Sequence, residues 1–185
     1  MSLEISVVRT LDELAQVFSV RARVYCGEQR CPYDEEFDGN DFTATQILAR
    51  SGGEPIGSLR IRYFGSFAKI ERLAVLPAWR GTSCGSKIAR IGIDLCRAKG
   101  FARLYAHAQR RLVPFWEPLG FRHAGENRVL CFSDHEYCEM LAEFEPLDTE
   151  LSLHSDPMVL LRPEGCWERP GVLDRSAGRP ATNPH

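Results

Sequence analysis

The first apolar positions, Ile5, Val7 and Val8 within residues 4–9, predict a short opening strand. From Thr10 the spacing becomes helical: Leu11, Leu14, Ala15, Phe18, Ala22 and Tyr25 share a face, and Thr10 with Glu13 makes a capping box. This helix runs towards Glu28-Gln29 and ends at Cys31-Pro32. Residues 32–41 are acidic, contain Gly39-Asn40 and read as a loop. A strand over 45–49, a hairpin turn at 52–55, and strands over 56–63 and 68–75 follow, the last stopped by Pro77. Ile88, Ile91, Leu95 and Ala98 mark a second long helix closed by Gly100. A strand over 101–108, a short helix over 112–119, a turn at Gly120-Phe121 and strands over 128–132 and 136–144 complete the pattern. Strands and helices interspersed in this order predict an α+β fold, with a mixed central sheet covered by helices.

Composition adds bounds. The 185 residues carry 23 Lys+Arg against 25 Asp+Glu, a formal charge of −2, and 44% are hydrophobic. That suits one soluble domain and gives no basic surplus for nucleic acid. The opening Met1-Ser-Leu-Glu lacks a basic and apolar leader pattern, and no run approaches a membrane span, so the expected location is cytoplasmic with no membrane partner. Seven cysteines without a C-x-x-C pair read as reduced thiols, and no metal site is expected. Six of the 11 prolines fall after residue 145, which divides the chain into a domain over 1–145 and a C-terminal extension over 146–185. Within the extension Trp167 is too large and apolar to favour exposure, so 156–173 are expected to be packed and 176–185 loose.

The segment richest in chemistry is Lys69 to Ser86: a strand, a proline stop, then Arg80, Gly81, Thr82, Ser83, Cys84, Gly85 and Ser86 leading into the helix. Backbone N–H groups of such a loop converge at the positive end of a helix dipole and suit phosphate oxygens, with Arg80 adding a charge-assisted bond. A tight connection that needs small residues would look the same. The combination of Leu73-Ala74-Val75 before Pro77, the loop from Arg80 to Gly85, and Gln109 to Phe121 resembles the GNAT acyltransferase superfamily over about residues 5–145. Ser83 stands where that family has a glycine; if the position needs positive φ, the serine costs about 1 kcal/mol. Arg21 to Tyr33 with Asp38 and Asp41 is similar to a Glu-Gln signature of one bacterial branch and, more distantly, to acyl-homoserine-lactone synthases.

The resemblance implies a mainly antiparallel sheet, acetyl-CoA or another acyl-CoA as co-substrate, and acyl transfer to a primary amine on a small molecule or a protein. Leu73, Ala74 and Val75 would pair with the pantetheine, Arg80 to Ser86 would hold the pyrophosphate, and Gln109, Phe115 and Trp116 occupy further cofactor positions. Glu71 is the first candidate for the base; strand alternation places it on the face of Leu73, and its competing role is an ion pair on the sheet. Glu28, at the expected acceptor cleft, is the second, against a salt bridge. Trp116 stands where the family has an acid tyrosine, and indole cannot serve. Tyr25, Tyr105 and His107 are candidate donors instead, His107 against a packed or surface role, while His135 at the last hairpin reads as a solvated turn residue or a lining residue of the acceptor pocket. The acidic stretch from Asp34 to Asp41 reads as a solvated loop or an attractor for a cationic acceptor. A non-catalytic acyl-CoA sensor and a homoserine-lactone-synthase-like enzyme are the alternatives. The extension is expected either to wall the acceptor cleft or to join two subunits of a homodimer.

Overall fold

The computed structural model describes residues 2–125 and 129–180. Eight strands form a single sheet: β1 (Leu3–Val7), β2 (Thr45–Ser51), β3 (Glu54–Phe64), β4 (Phe67–Val75), β5 (Arg103–Gln109), β6 (Arg122–His123), β7 (Val129–Phe132) and β8 (His135–Glu143). Their order is β1-β2-β3-β4-β5-β8-β6, with β7 also on β8. Every pairing is antiparallel except β4 with β5. Arg128, at the start of the expected penultimate strand, and residues 181–185 of the expected loose end lie outside the described residues. The two-residue strand β6, which falls just past the turn at Gly120, is too short to leave a periodic signal.

Helix α1 (Leu11–Arg21) starts at Thr10, whose hydroxyl accepts from the Glu13 N–H while the Glu13 carboxylate accepts from the Thr10 N–H. Beyond Arg21 the helix widens into a π turn over Ala22–Glu28, with the Gln29 N–H donating to the Val24 carbonyl five residues back at 3.1 Å. A one-turn helix, α2 (Tyr33–Glu36), follows inside the stretch expected to be loop.

Helix α3 (Cys84–Ala98) lies on the sheet face opposite to α1 and buries Ile88, Ala89, Ile93 and Cys96 against Leu59, Ile61, Ile70 and Leu104. Two glycines set its approach: a Cβ on Gly92 would stand 2.4 Å from Leu59 Cδ2, and one on Gly57 would stand 2.6 Å from Ile88 Cδ1. Beyond β5 comes the short α4 (Val113–Trp116). The extension carries α5 (Pro157–Leu160) and α6 (Val172–Ala177). It packs on the far side of the molecule: Trp167 is buried in the main core, Gly165 lies against Val7 and Leu95, and Lys99 pairs with Glu164 at 2.6 Å. All seven cysteines are free thiols, and among the described residues no helix is long and apolar enough to cross a membrane.

Candidate active site

Strands β4 and β5 pair over only three positions, Ala68 with Leu104, Lys69 with Tyr105 and Ile70 with Ala106. Past these they diverge, and the β5-facing edge of β4 from Arg72 to Val75 has no strand partner. The gap opens into a cavity of ≈ 380 Å³. One wall carries Leu73, Ala108, Phe115 and Trp116, another His107, Gln109 and Tyr137, and the floor Lys69, Glu71 and Arg72. Tyr25 on the π segment and Gln29, which caps it, also line the cavity.

A bulge shapes this wall. Ser58 stands opposite Ala74 and Arg60 opposite Glu71, so β4 spends three residues where β3 spends two, and Arg72 takes φ +53. Ile70 and Leu73 consequently pack towards the α3 side, whereas Glu71 and Arg72 both turn to the α1 side and Ala74 joins Val20 and Val24 there. Glu71 and Leu73 are thus on opposite faces, which corrects the expectation from simple alternation. The Leu73 carbonyl accepts from the Tyr25 hydroxyl at 2.8 Å.

Glu71 is 9% exposed and engaged by two cations, Arg60 and Lys69, each at 2.8 Å. It belongs to a balanced network. Arg60 also meets Asp38 at 2.6 Å and Asp41 at 3.0 Å; Arg21 holds Glu36 at 2.5 Å and also bonds Asp41; Arg72 meets Glu36 at 2.9 Å. Arg21 and Arg60 are fully buried, and Glu36 and Asp41 nearly so. The expected solvated acidic loop therefore folds inward, because two arginines on buried faces of α1 and β3 require anions. Burial alone would push the Asp38 and Asp41 carboxyls up, but hydrogen bonds from Arg60 and Arg21 outweigh it and hold both below the usual range. Glu36 goes the other way: burial wins over Arg21 and its carboxyl is raised.

Glu28, expected at an acceptor cleft, is not among the described residues that line the cavity and sits on the loop arginine. Both Arg80 Nη atoms donate to its carboxylate at 2.6 Å, and that bond holds the Glu28 carboxyl below its ordinary range. Arg80 Nε also donates to the Val75 carbonyl at 3.0 Å, which ties the loop to the end of β4. Gly81 at φ +77 and Ser83 at φ +61 are both left-handed, so the serine does occupy a position that favours glycine. Ser83 is the N-cap of α3 without a side-chain cap bond, and the first N–H groups from Cys84 to Ser86 open outward at the end of this 15-residue helix. Gly85 faces Val75 and Phe115, each 3.6 Å from where a Cβ would stand.

Trp116 is 5% exposed and wedged edge-to-face between Phe115 and Phe121. Tyr25 spends its proton on Leu73, and burial with the nearby Glu36 pushes its phenol far above the usual range. Gln109 Nε2 donates to Gln29 Oε1 at 3.0 Å and to Tyr137 Oη at 3.1 Å, while its own Oε1 is buried without a partner. Tyr105 and His107 point to the same face of β5 and bond each other at 2.6 Å. His135 starts β8 and does not line the cavity. Tyr137 and Glu139, which alternate with the buried Cys138 and Met140 on β8, were not recognisable as site residues; only the β5–β8 register, Gln109 with Tyr137 and His107 with Glu139, brings them here. All described lining residues fall between Tyr25 and Tyr137, so the described part of the extension does not wall the cavity.

Comparison with known proteins agrees with the fold. The chain is 28% identical over 124 residues to YjcF of Bacillus subtilis (strain 168), an uncharacterized N-acetyltransferase, covering 67% of this chain and 89% of that protein. It is 29% identical over 131 residues to another protein of that organism named as an acetyltransferase, covering 69% and 89%. Among solved structures, Escherichia coli ElaA superposes with a TM-score of 0.69 at 24% identity, over 77% of this chain and all of that one. An acyl-CoA N-acyltransferase from Pseudomonas aeruginosa gives 0.70 at 24% identity, over 76% and 99%. The family model described as Acetyltransferase (GNAT) family matches residues 11–121, more than half of the sequence, and the chain belongs to that family.

Proposed function

We propose that the protein transfers a short acyl group from acyl-CoA to a primary amine by direct attack within a ternary complex. The observation that carries this reading is the divergence of β4 from β5 beside the left-handed loop at the start of α3. Acyl-CoA supplies an activated thioester carbonyl. The open edge from Leu73 to Val75 suits the amides of an extended pantetheine, in the manner of an added strand. The buried, partnerless Gln109 Oε1 fits the same group, since it needs an N–H donor. Val75 N–H is the backbone donor available for charge developing on the thioester oxygen.

Loop residues Arg80 to Ser86 suit the pyrophosphate through backbone N–H groups, the helix dipole and the guanidinium. Phosphate oxygens would take the place of Glu28 on Arg80, an exchange that costs little because the pair is exposed. Glu28 thus acts as a holder of the empty loop, and Glu71 as a structural anion of the Arg60 network. With Trp116 unable to give a proton, a group on the cavity wall that can return one to the departing thiolate is Tyr137, whose oxygen accepts from Gln109 and whose hydroxyl can donate.

Titration of acetyl-CoA into the protein, read by calorimetry, tests the loop. Arg80→Ala should weaken binding roughly 10–100-fold, as expected for loss of a charge-assisted bond. Glu28→Gln should tighten it while leaving amine-dependent CoA release intact. Lost turnover in Glu28→Gln would return Glu28 to the chemistry, and absence of binding to the unaltered protein would sink the donor assignment. Binding without CoA release for any amine would leave a non-catalytic acyl-CoA sensor.

A further inference from the structure

An amine acceptor arrives as an ammonium ion and must lose a proton before its nitrogen can attack. Neither glutamate expected for that task is well placed: Glu71 is held by Arg60 and Lys69, and Glu28, which phosphate would release from Arg80, is not among the residues that line the cavity. His107, which lines the cavity, forms a chain with two side chains behind it on the facing strands β5 and β8, Tyr105 and Glu139. His107 stands directly opposite Glu139 in the register, and Tyr105 lies two residues away on the same face of β5. The Tyr105 hydroxyl contacts His107 Nε2 at 2.6 Å and makes a very short bond to the Glu139 carboxylate.

Hydrogen counting fixes the direction of this chain. A carboxylate only accepts, so the single proton of the Tyr105 hydroxyl goes to Glu139. The Tyr105 oxygen can then only accept from His107, which places the imidazole proton on Nε2. Nδ1 is left as the nitrogen with the lone pair, on a side chain that lines the cavity.

We propose that His107 Nδ1 takes the proton from the amine acceptor, and that Tyr105 and Glu139 are positioning residues that lock the tautomer able to do so. This rests on the acyl-transfer reading above. The balance is complete: of the two protons that an ammonium nitrogen gives up in becoming an amide, His107 passes one to solvent and the other leaves with the thiolate as the thiol. One C–N bond forms and one C–S bond breaks.

The surroundings keep the imidazole neutral. Burial is the main effect lowering its affinity for a proton, Lys69 on β4 adds to it, and Glu139 on β8 and Glu71 on β4 oppose it; the net shift is downward. Tyr105 on its own strand and the Phe132 ring, 6.1 Å away on β7, complete the groups around it. At neutral pH His107 is therefore an acceptor of protons, and the acid limb of kcat/KM should lie below the ordinary histidine range.

Two measurements on the full-length protein test the proposal. Long-range 1H–15N NMR of the imidazoles, with His107→Gln identifying the signal, should show at pH 7 a neutral ring protonated on Nε2. A ring protonated on Nδ1, or an imidazolium, would overturn the proposal. In Tyr105→Phe the preference for that tautomer should fall, and in Glu139→Gln the acid limb of kcat/KM should move to lower pH because an anion beside the ring is gone; an unmoved limb removes Glu139 from its role. For His107→Gln, amine-dependent CoA release at pH 7 should fall about 100-fold or more. It should recover as pH rises and the amine deprotonates unaided, with acetyl-CoA affinity unchanged. Wild-type turnover in this variant would overturn the proposal while leaving acyl transfer standing. No amine-dependent release from the unaltered protein would sink acyl transfer and the proton role together, with the tautomer still decided by NMR.

Discussion

Ser83 is the clearest case of one residue carrying a structural demand that its side chain meets poorly. It holds φ +61 at the start of α3, where the loop must turn its N–H groups outward, and a Cβ there strains the left-handed backbone by about 1 kcal/mol. Ser83→Gly should therefore raise stability by up to about 1 kcal/mol in urea unfolding. It should leave acetyl-CoA binding in place; a loss of stability would show that the serine makes a compensating contact. The position itself was legible in the sequence, because a motif with glycine at that site announces the backbone requirement. Tyr137 and Glu139 were not, because nothing local distinguishes them from any polar residue alternating along a strand. Their role exists only through pairing with residues 28 and 32 positions earlier in the chain.

At the scale of elements, most strands and both long helices follow from periodicity, but two irregularities do not. The bulge at Arg72 reverses the face of every β4 residue after it, and no hydrophobic pattern shows it because Leu73, Ala74 and Val75 are all apolar. The acidic stretch after α1 looks like solvent-exposed loop until Arg21 and Arg60 are seen to be buried; its charges are then the structural complement of those arginines. Arg60→Met should expose the consequence. It strands Asp38, Asp41 and Glu71 near a buried face, and a loss of about 3–5 kcal/mol is expected, with an unchanged dependence on denaturant. A loss below about 1 kcal/mol would mean that the network does not hold the loop.

The same network sets the response to acid. Asp38 and Asp41 titrate below their unfolded value of about 3.9, so their stabilisation is complete above it and is lost as pH falls through the lower folded values. Glu36, raised by burial, binds its proton more readily folded than unfolded and so partly offsets that loss. In Arg60→Met the Arg60 hydrogen bonds that depress Asp38 are gone while that from the Asn40 N–H remains, and the fall of stability below pH 4 should become shallower; an unaltered slope would show that other groups govern acid unfolding.

On the scale of the whole molecule, the sheet spreads its tasks from one edge to the other. The extension clamps the β1 side and the end of α3 through Trp167, Gly165 and Glu164, remote from the chemistry. The gap between β4 and β5 sits near the middle, with α3 delivering its N-terminus to one end. Beyond β5, the β8 strand adds Tyr137 to the cavity wall. The sequence motif located the loop from Arg80 to Ser86 at the start of α3, the proposed donor half, because such a loop is local. The acceptor half depends on strand register, a bulge and a π turn, which are properties of the assembled sheet and helix. Acyl transfer is tested most directly by release of CoA from acetyl-CoA by the purified protein over a panel of primary amines. Release should saturate with both acetyl-CoA and at least one amine and exceed the amine-free rate; release no faster than that rate for every amine would contradict acyl transfer.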